Sequence, residues 1–289
     1  MKKGINYWSF PGVLSGKPEF ELKRCMELAK DAGFDGIELA LEEKGEINLN
    51  SSRQDIIRIA EMAKEVGIEL SSLASGLLWD YSLTSSEVKV REKAKGIVKK
   101  MLEFASYLEV DTILVIPGAV DVFFNPQAEI VPYDVAYERS LDALRECALT
   151  AEEYKVAIGI ENVWNKFLLS PLELRDFVDK IGSDYLGVYF DVGNTLLTGY
   201  PEQWIRILNK RIKKVHIKDF RSSIGNVNGF VDLLEGDVNW REVMKAFKDI
   251  GYDDYLTAEI LPSYSQHPKA LLYNTSKSMD FILGKKGDL

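Results

Sequence analysis

Histidine and cysteine are both scarce in this chain, with two of each among 289 residues. Cys25 and Cys147 fall in stretches with helical spacing, ELKRCMELAK and LDALRECALT, far apart in the sequence. They supply no disulfide framework and no cysteine-rich metal cluster, and read as buried or half-buried thiols. His216 and His267 are too few for a site built on many imidazoles. Positive charge is also in deficit: 36 Lys and Arg against 45 Asp and Glu leave a net charge of −9. Nucleic-acid binders draw much of their affinity from phosphate neutralisation, so no nucleic-acid partner is expected. No apolar run approaches the ~18 residues of a membrane span, so no membrane partner is expected either. The opening MKKGINYWSF lacks an apolar stretch long enough for a secretory signal. A cytoplasmic protein is the expectation.

What is present is ordinary globular material, 46% hydrophobic and 28% charged. A prior of about 150 residues per domain would suggest two domains, but α/β barrels run about 250 residues as one unit. Strand candidates fall at 4–8, 35–40, 67–74, 112–117, 156–161, 186–191, 213–218 and 254–260. Several are apolar runs without alternation, as suits parallel strands buried on both faces. Helical patterns lie between them, at 20–32, 51–66, 86–108, 133–154, 171–181, 201–208, 240–250 and 267–283. Ser51 is expected to cap the second helix and Ser86 to precede the third. Pro171 and Pro201 sit where a first helical turn tolerates proline. Gly33, Gly67 and Gly251 stand where left-handed helix ends are expected.

Eight strand–helix pairs in succession predict a single (β/α)8 barrel over residues 1–289. A doubly wound open sheet would more often carry a glycine-rich phosphate loop after the first strand. Here NYWSFPG follows it. Three long stretches, 75–86, 118–132 and 219–239, follow strand C-termini and would crowd one rim, where function resides in this fold.

That rim collects the chemistry. Strand five ends IGIEN with Glu161, strand six YFDVGN with Asp191; strand seven is KKVHIKDF with His216, and strand eight YLTAEILP with Glu259. Four successive strands thus deliver three carboxylates and one imidazole to one end. Carboxylates so close repel, and a divalent cation resolves the conflict. Oxygen-rich ligation with one imidazole favours Mn²⁺ or Mg²⁺, with Co²⁺ or Zn²⁺ also compatible. His267, in SQHPKA, reads as a solvated turn residue.

The stretches IENVWNKF, YFDVGN, VHIKDF and GDVNWREVMKAFKDIGYDDYLTAEI resemble the xylose-isomerase-like barrel superfamily. The likeness is greatest to its sugar and sugar-phosphate 3-epimerases, of the D-tagatose 3-epimerase and L-ribulose-5-phosphate 3-epimerase kind. It is strong over about 156–260 and looser elsewhere, with softer echoes in AGFDGIEL and TSSEVKVREKA. The resemblance implies that Glu161, Asp191, His216 and Glu259 bind the metal. It further implies that Glu161 and Glu259 act as acid and base on a keto-sugar or sugar phosphate. A homodimer or homotetramer belongs to the same implication. The tagatose epimerases carry a histidine three residues after the aspartate, where this chain has Asn194. The FDVGN form is closer to the phosphopentulose epimerases.

Epimerisation beside a ketone removes a proton from one face of a carbon and returns it to the other. A divalent ion polarising the carbonyl stabilises the enediolate, and two carboxylates on opposite faces serve as base and acid. Asn194 is available to a substrate hydroxyl. Trp8, Trp79, Trp164 and Phe220 either stack on the sugar or belong to the core. Lys218 and Arg221 either grip a substrate phosphate or carboxylate, or are solvated, with Lys218 paired to Asp219. Glu38 is expected to reach a substrate hydroxyl. An aldose–ketose isomerase, an inosose dehydratase or a 3-keto-glycoside epimerase would use the same scaffold. A multi-zinc DNA-repair endonuclease would not, for want of histidines, and a non-catalytic sugar-binding barrel would have no need of both glutamates.

Overall fold

A computed structural model describes residues 1–262 and 264–285. Its first strands are β1 (Lys2–Asn6), β2 (Gly36–Ala40), β3 (Glu69–Ala74), β4 (Thr112–Val115) and β5 (Ala157–Glu161). Then come β6 (Leu186–Asp191), β7 (Ile212–Ile217), β8 (Asp219–Phe220), β9 (Phe230–Val231) and β10 (Tyr255–Ala258). All but β8 and β9 join one closed parallel barrel, in the order β1-β2-β3-β4-β5-β6-β7-β10 and back to β1. The (β/α)8 fold expected from the sequence is therefore present. Every residue of β2, β4, β5 and β6 is buried, which is why these strands are mostly apolar without polar alternation.

The helices are α1 (Leu22–Asp31), α2 (Arg53–Val66), α3 (Leu77–Asp80), α4 (Val88–Leu108) and α5 (Tyr133–Tyr154). The second half adds α6 (Pro171–Ile181), α7 (Pro201–Leu208), α8 (Trp240–Ile250) and α9 (Lys269–Ile282). Each turns one stripe to the barrel. In α8 the stripe is Trp240, Val243, Ala246 and Phe247. Complete burial of a residue such as Phe247 stabilises by about 1.5–3 kcal/mol.

Element ends differ from the sequence expectations for local reasons. The first strand stops at Asn6 rather than Trp8, because the Asn6 side chain accepts the Trp8 amide at 2.6 Å and bends residues Tyr7–Ser9 into a 3₁₀ turn. Ser52, not Ser51, caps α2, in a reciprocal capping box with Asp55. Glu87, not Ser86, flanks α4, and the Ser86 amide bonds Glu129 Oε1 at 2.7 Å instead. Pro171 and Pro201 do open α6 and α7. Gly33, Gly67 and Gly251 adopt φ of 88°, 75° and 72° beyond their helices.

The long stretches lie where the active rim requires. Residues 75–86 contain α3, and 219–239 contain the antiparallel β8–β9 pair. Asp219 organises that second loop. Its carboxylate accepts from the amides of Phe220 (2.9 Å), Leu234 (3.0 Å) and Val238 (3.2 Å) and from Trp240 Nε1 (3.0 Å). Gly236 lies so close that a Cβ there would stand 2.1 Å from Asp219 Oδ1. Asp219 is thus bound to its own loop and not paired with Lys218.

Candidate active site

Strand register builds the site in two floors. Asn6, Glu38 and Ser72 are partners across β1, β2 and β3, and all three are fully buried. Above them, Asp191 at the end of β6 pairs in register with His216, one residue short of the end of β7. Glu161 is the last residue of β5, and Glu259 follows β10 directly. One ligand atom from each of Glu161, Asp191, His216 and Glu259 lies within 4.8 Å of all the others.

The lower floor fixes the upper. His216 Nε2 lies 2.6 Å from Glu38 Oε1. Glu38 also accepts from Asn6 Nδ2 and from the hydroxyls of Ser72 and Tyr189. With Nε2 committed to Glu38, His216 turns Nδ1 to the cluster, 3.7 Å from Glu161 Oε1 and 3.8 Å from Glu259 Oε2. Such a carboxylate behind a ligating imidazole sets its tautomer and raises its basicity.

Two observations fit a divalent cation. Among the described residues, His216 Nδ1 and Asp191 Oδ2 are buried without a hydrogen-bond partner. An unmet buried polar atom costs about 1–3 kcal/mol, so two aimed at one cluster of acids call for a shared positive charge. The donor set itself, three carboxylates and one imidazole, suits such an ion. Lys218 supplies part of the positive charge. Its ammonium bonds Glu259 and comes within 3.1 Å of Asp191 Oδ2, without the alignment of a hydrogen bond.

The two glutamates are driven apart electrostatically. Burial, aided by the Glu259 charge, pushes the Glu161 carboxyl up to about 7. Burial also works to raise Glu259, yet Lys218 and His216 outweigh it and hold that carboxyl below its usual range. Asp191 is raised, chiefly by burial. Burial opposes the Lys218 charge, but Asp191, Glu259 and Glu161 prevail and push its pKa well up.

A cavity of about 390 Å³ opens above the cluster. Of the four residues of the cluster, only Glu161 and Glu259 line it; Asp191 and His216, at 0% exposure, lie behind. Trp8, Trp164, Asn194 and Lys218 also reach the wall. Asn194 donates its side-chain amide to the Asn162 backbone carbonyl at 3.0 Å and accepts Trp164 Nε1 on its own backbone carbonyl at 2.9 Å. Gly193 lets this turn approach Lys218, since a Cβ there would meet Lys218 Cγ at 2.4 Å.

Three residues singled out in the sequence lie elsewhere. Glu38 does not face the cavity, because the barrel floor holds it against His216. Phe220 is fully buried behind Trp164, with ring centroids 5.3 Å apart. Arg221 bonds Glu235 O at 3.1 Å and faces the Glu235 carboxylate at 3.5 Å, away from the wall. Wall residues that sequence reasoning missed include Phe123, Phe124 and Phe230. The first two lie in the long stretch 118–132, while Phe230 enters only through the β8–β9 pairing, which stacks it on Trp164 at 5.0 Å.

Fold and site together define a (β/α)8 barrel with a carboxylate–histidine cation cluster at its C-terminal rim. The chain belongs to the xylose isomerase-like TIM barrel family, whose model matches residues 26–281. It is similar to the L-ribulose-5-phosphate 3-epimerase UlaE of Salmonella heidelberg, at 24% identity over 90% of this chain and 88% of that protein. Among solved structures it resembles D-psicose 3-epimerase with D-tagatose from Clostridium cellulolyticum H10. That match has a TM-score of 0.79 at 20% identity, over 98% of each chain. It also resembles the IolI protein with a bound zinc atom, with a TM-score of 0.75 at 18% identity, over all of both chains.

Proposed function

We propose that this chain is a divalent-metal-dependent isomerase that epimerises a ketose or ketose phosphate at C3, through an enediolate. The observation that carries the reading is the exposure of Glu161 and Glu259, alone of the four ligands, to the cavity. Ligands that also touch the substrate are placed to move its protons. Their opposed charge tendencies, Glu161 towards protonated and Glu259 towards ionised, divide the pair into acid and base. Which acts first depends on the configuration of the substrate carbon. The ion, held by Glu161, Asp191, His216 and Glu259, would polarise the substrate carbonyl. Mn²⁺ suits this donor set best, with Mg²⁺, Co²⁺ and Zn²⁺ as alternatives. Asn194, Trp8 and Trp164 would hold the sugar. The epimerase relatives support the reaction class. An aldose–ketose isomerase or inosose dehydratase would use the same ligands. We further infer a cytoplasmic enzyme working as a homodimer or homotetramer. Among the described residues, no helix is long and apolar enough to cross a membrane.

Deuterium exchange tests the reading. Candidate ketoses incubated in D₂O with Mn²⁺ should gain label at C3, while the Glu161→Gln protein leaves them unlabelled. Label at C1 would point to aldose–ketose isomerisation instead, and no labelling in the native protein would refute both.

A further inference from the structure

The last residue of β6 lacks a strand neighbour on one side. Asp191 pairs with His216 of β7, but β5 stops at Glu161, whose register partner is Tyr189. In a parallel ladder a residue turns its amide and its carbonyl to the same neighbouring strand. Asp191 is wholly buried, so the pair that would face β5 needs partners from the protein.

The side chain of Asn162 takes the place of the missing strand. Its Oδ1 accepts the Asp191 amide at 2.8 Å, and its Nδ2 donates to the Asp191 backbone carbonyl at 2.9 Å. A carboxamide carries a donor and an acceptor side by side, as a stretch of strand does; aspartate lacks the donor and alanine lacks both. Thr195 completes the clip. Its hydroxyl donates to the same carbonyl at 3.0 Å and accepts Asn162 Nδ2 at 3.1 Å.

The grip passes from the backbone to the carboxylate. Asp191 Oδ1 accepts the Asn194 amide at 2.7 Å, and Asn194 is tied back to the Asn162 backbone carbonyl at 3.0 Å. These bonds close a ring through Asn162, Asp191 and Asn194. With Oδ1 engaged, the carboxylate cannot turn freely, and Oδ2 is the oxygen left for the cation cluster. Asn162 does not line the 390 Å³ cavity, so its influence on the site runs through Asp191.

Asn165, three residues further along the same loop, provides the contrast. It is fully buried as well, and its side chain donates to the Gly118 carbonyl at 2.7 Å and accepts the Phe167 amide at 3.0 Å. Neither bond reaches a residue of the cluster.

We propose that Asn162 is a positioning residue for the divalent ion, holding the Asp191 carboxylate in its ligating place by standing in for a strand. The inference rests on the metal site of the reading above and on neither its sugar nor its reaction.

The full chain and its Asn162→Ala and Asn165→Ala variants test it. Mn²⁺ affinity is read by competition with a fluorescent chelator, and the metal-free fold by urea unfolding. Both variants should unfold at lower urea than the native chain. Asn162→Ala alone should also weaken Mn²⁺ binding, by about 10–100-fold, the usual loss when a group that orients a ligand is removed. Asn165→Ala should bind Mn²⁺ as the native chain does. Thr195→Val, which removes one donor from the Asp191 carbonyl, should weaken Mn²⁺ binding by about two- to tenfold, the span of a single hydrogen bond. Native affinity in Asn162→Ala would overturn the inference, and so would an equal loss in Asn165→Ala. If Asn162→Ala does not fold, native affinity in Thr195→Val overturns it. A native chain that binds no Mn²⁺ would remove the metal site itself, and the inference with it.

Discussion

Glu38 and His216 meet at 2.6 Å on the barrel floor, both wholly shielded from solvent. Burial works to raise the Glu38 carboxyl, but His216, Ser72 and Tyr189 outweigh it and hold Glu38 below its usual range. The imidazole that faces the cation cluster is therefore oriented from behind by an acid that never reaches the cavity. Glu38→Gln should weaken Mn²⁺ binding by about 10–100-fold, the usual cost of removing such a partner. Glu38→Ala should add a stability loss of about 3–5 kcal/mol, because buried donors are left unmet. Metal competition against a fluorescent chelator and urea unfolding separate the two effects. Native metal affinity in Glu38→Gln would refute the orienting role.

Metal binding should strengthen with pH. The Glu161 carboxyl is raised from 4.5 to about 7, so below neutrality a proton must leave before an ion is bound. Affinity for Mn²⁺ should fall by about tenfold per pH unit below that point. The metal-free fold should have the opposite slope. A raised carboxyl contributes its stability in full below 4.5 and loses it as pH rises through about 7. The gain in Tm on adding Mn²⁺ should therefore be larger at about pH 8 than at about pH 6. Scanning fluorimetry across that range checks both slopes.

Lys218 shares the acids of the cluster, and its loss should be felt most without metal. Lys218→Met leaves Glu259 and Asp191 buried with less compensation, at a cost of about 3–5 kcal/mol in the metal-free protein. Added Mn²⁺ should recover more stability in this variant than in the native chain. Equal metal-induced gains, measured by calorimetric unfolding, would contradict that electrostatic role.

The rim loop 219–239 depends on one carboxylate. Asp219→Ala removes an acceptor shared by three amides and the Trp240 indole. The change should destabilise by about 1.5–3 kcal/mol and open the loop to limited proteolysis. Asp219→Asn, which keeps one oxygen acceptor, should lose less. Gly236→Ala should mimic the defect, since its new methyl would collide with Asp219.

The second half of the barrel was readable because its strands carry a polar residue at or near the C-terminal end of a mostly apolar stretch. Glu161, Asp191 and His216 announce themselves by that contrast, and Glu259 sits one step beyond β10. Glu38 was visible as an acid among apolar neighbours, but its depth was not. It occupies the middle of β2, and only the pairing with Asn6 and Ser72 tells which floor it joins. The role of Lys218 depends on acids brought by two other strands. Local spacing also says nothing of the left-handed turns at Glu109 and Lys155, which end α4 and α5 without glycine. The β8–β9 pair spans only two residues a side and leaves no periodic trace.

The order in which ligands arrive along the polypeptide has a consequence for biogenesis. Glu259 rides with β10, the stave that seals the cylinder against both β1 and β7. A growing chain therefore presents an incomplete set of donors until β10 and Glu259 have been made. Completion of the donor cluster and closure of the wall are therefore one and the same step in assembling the barrel.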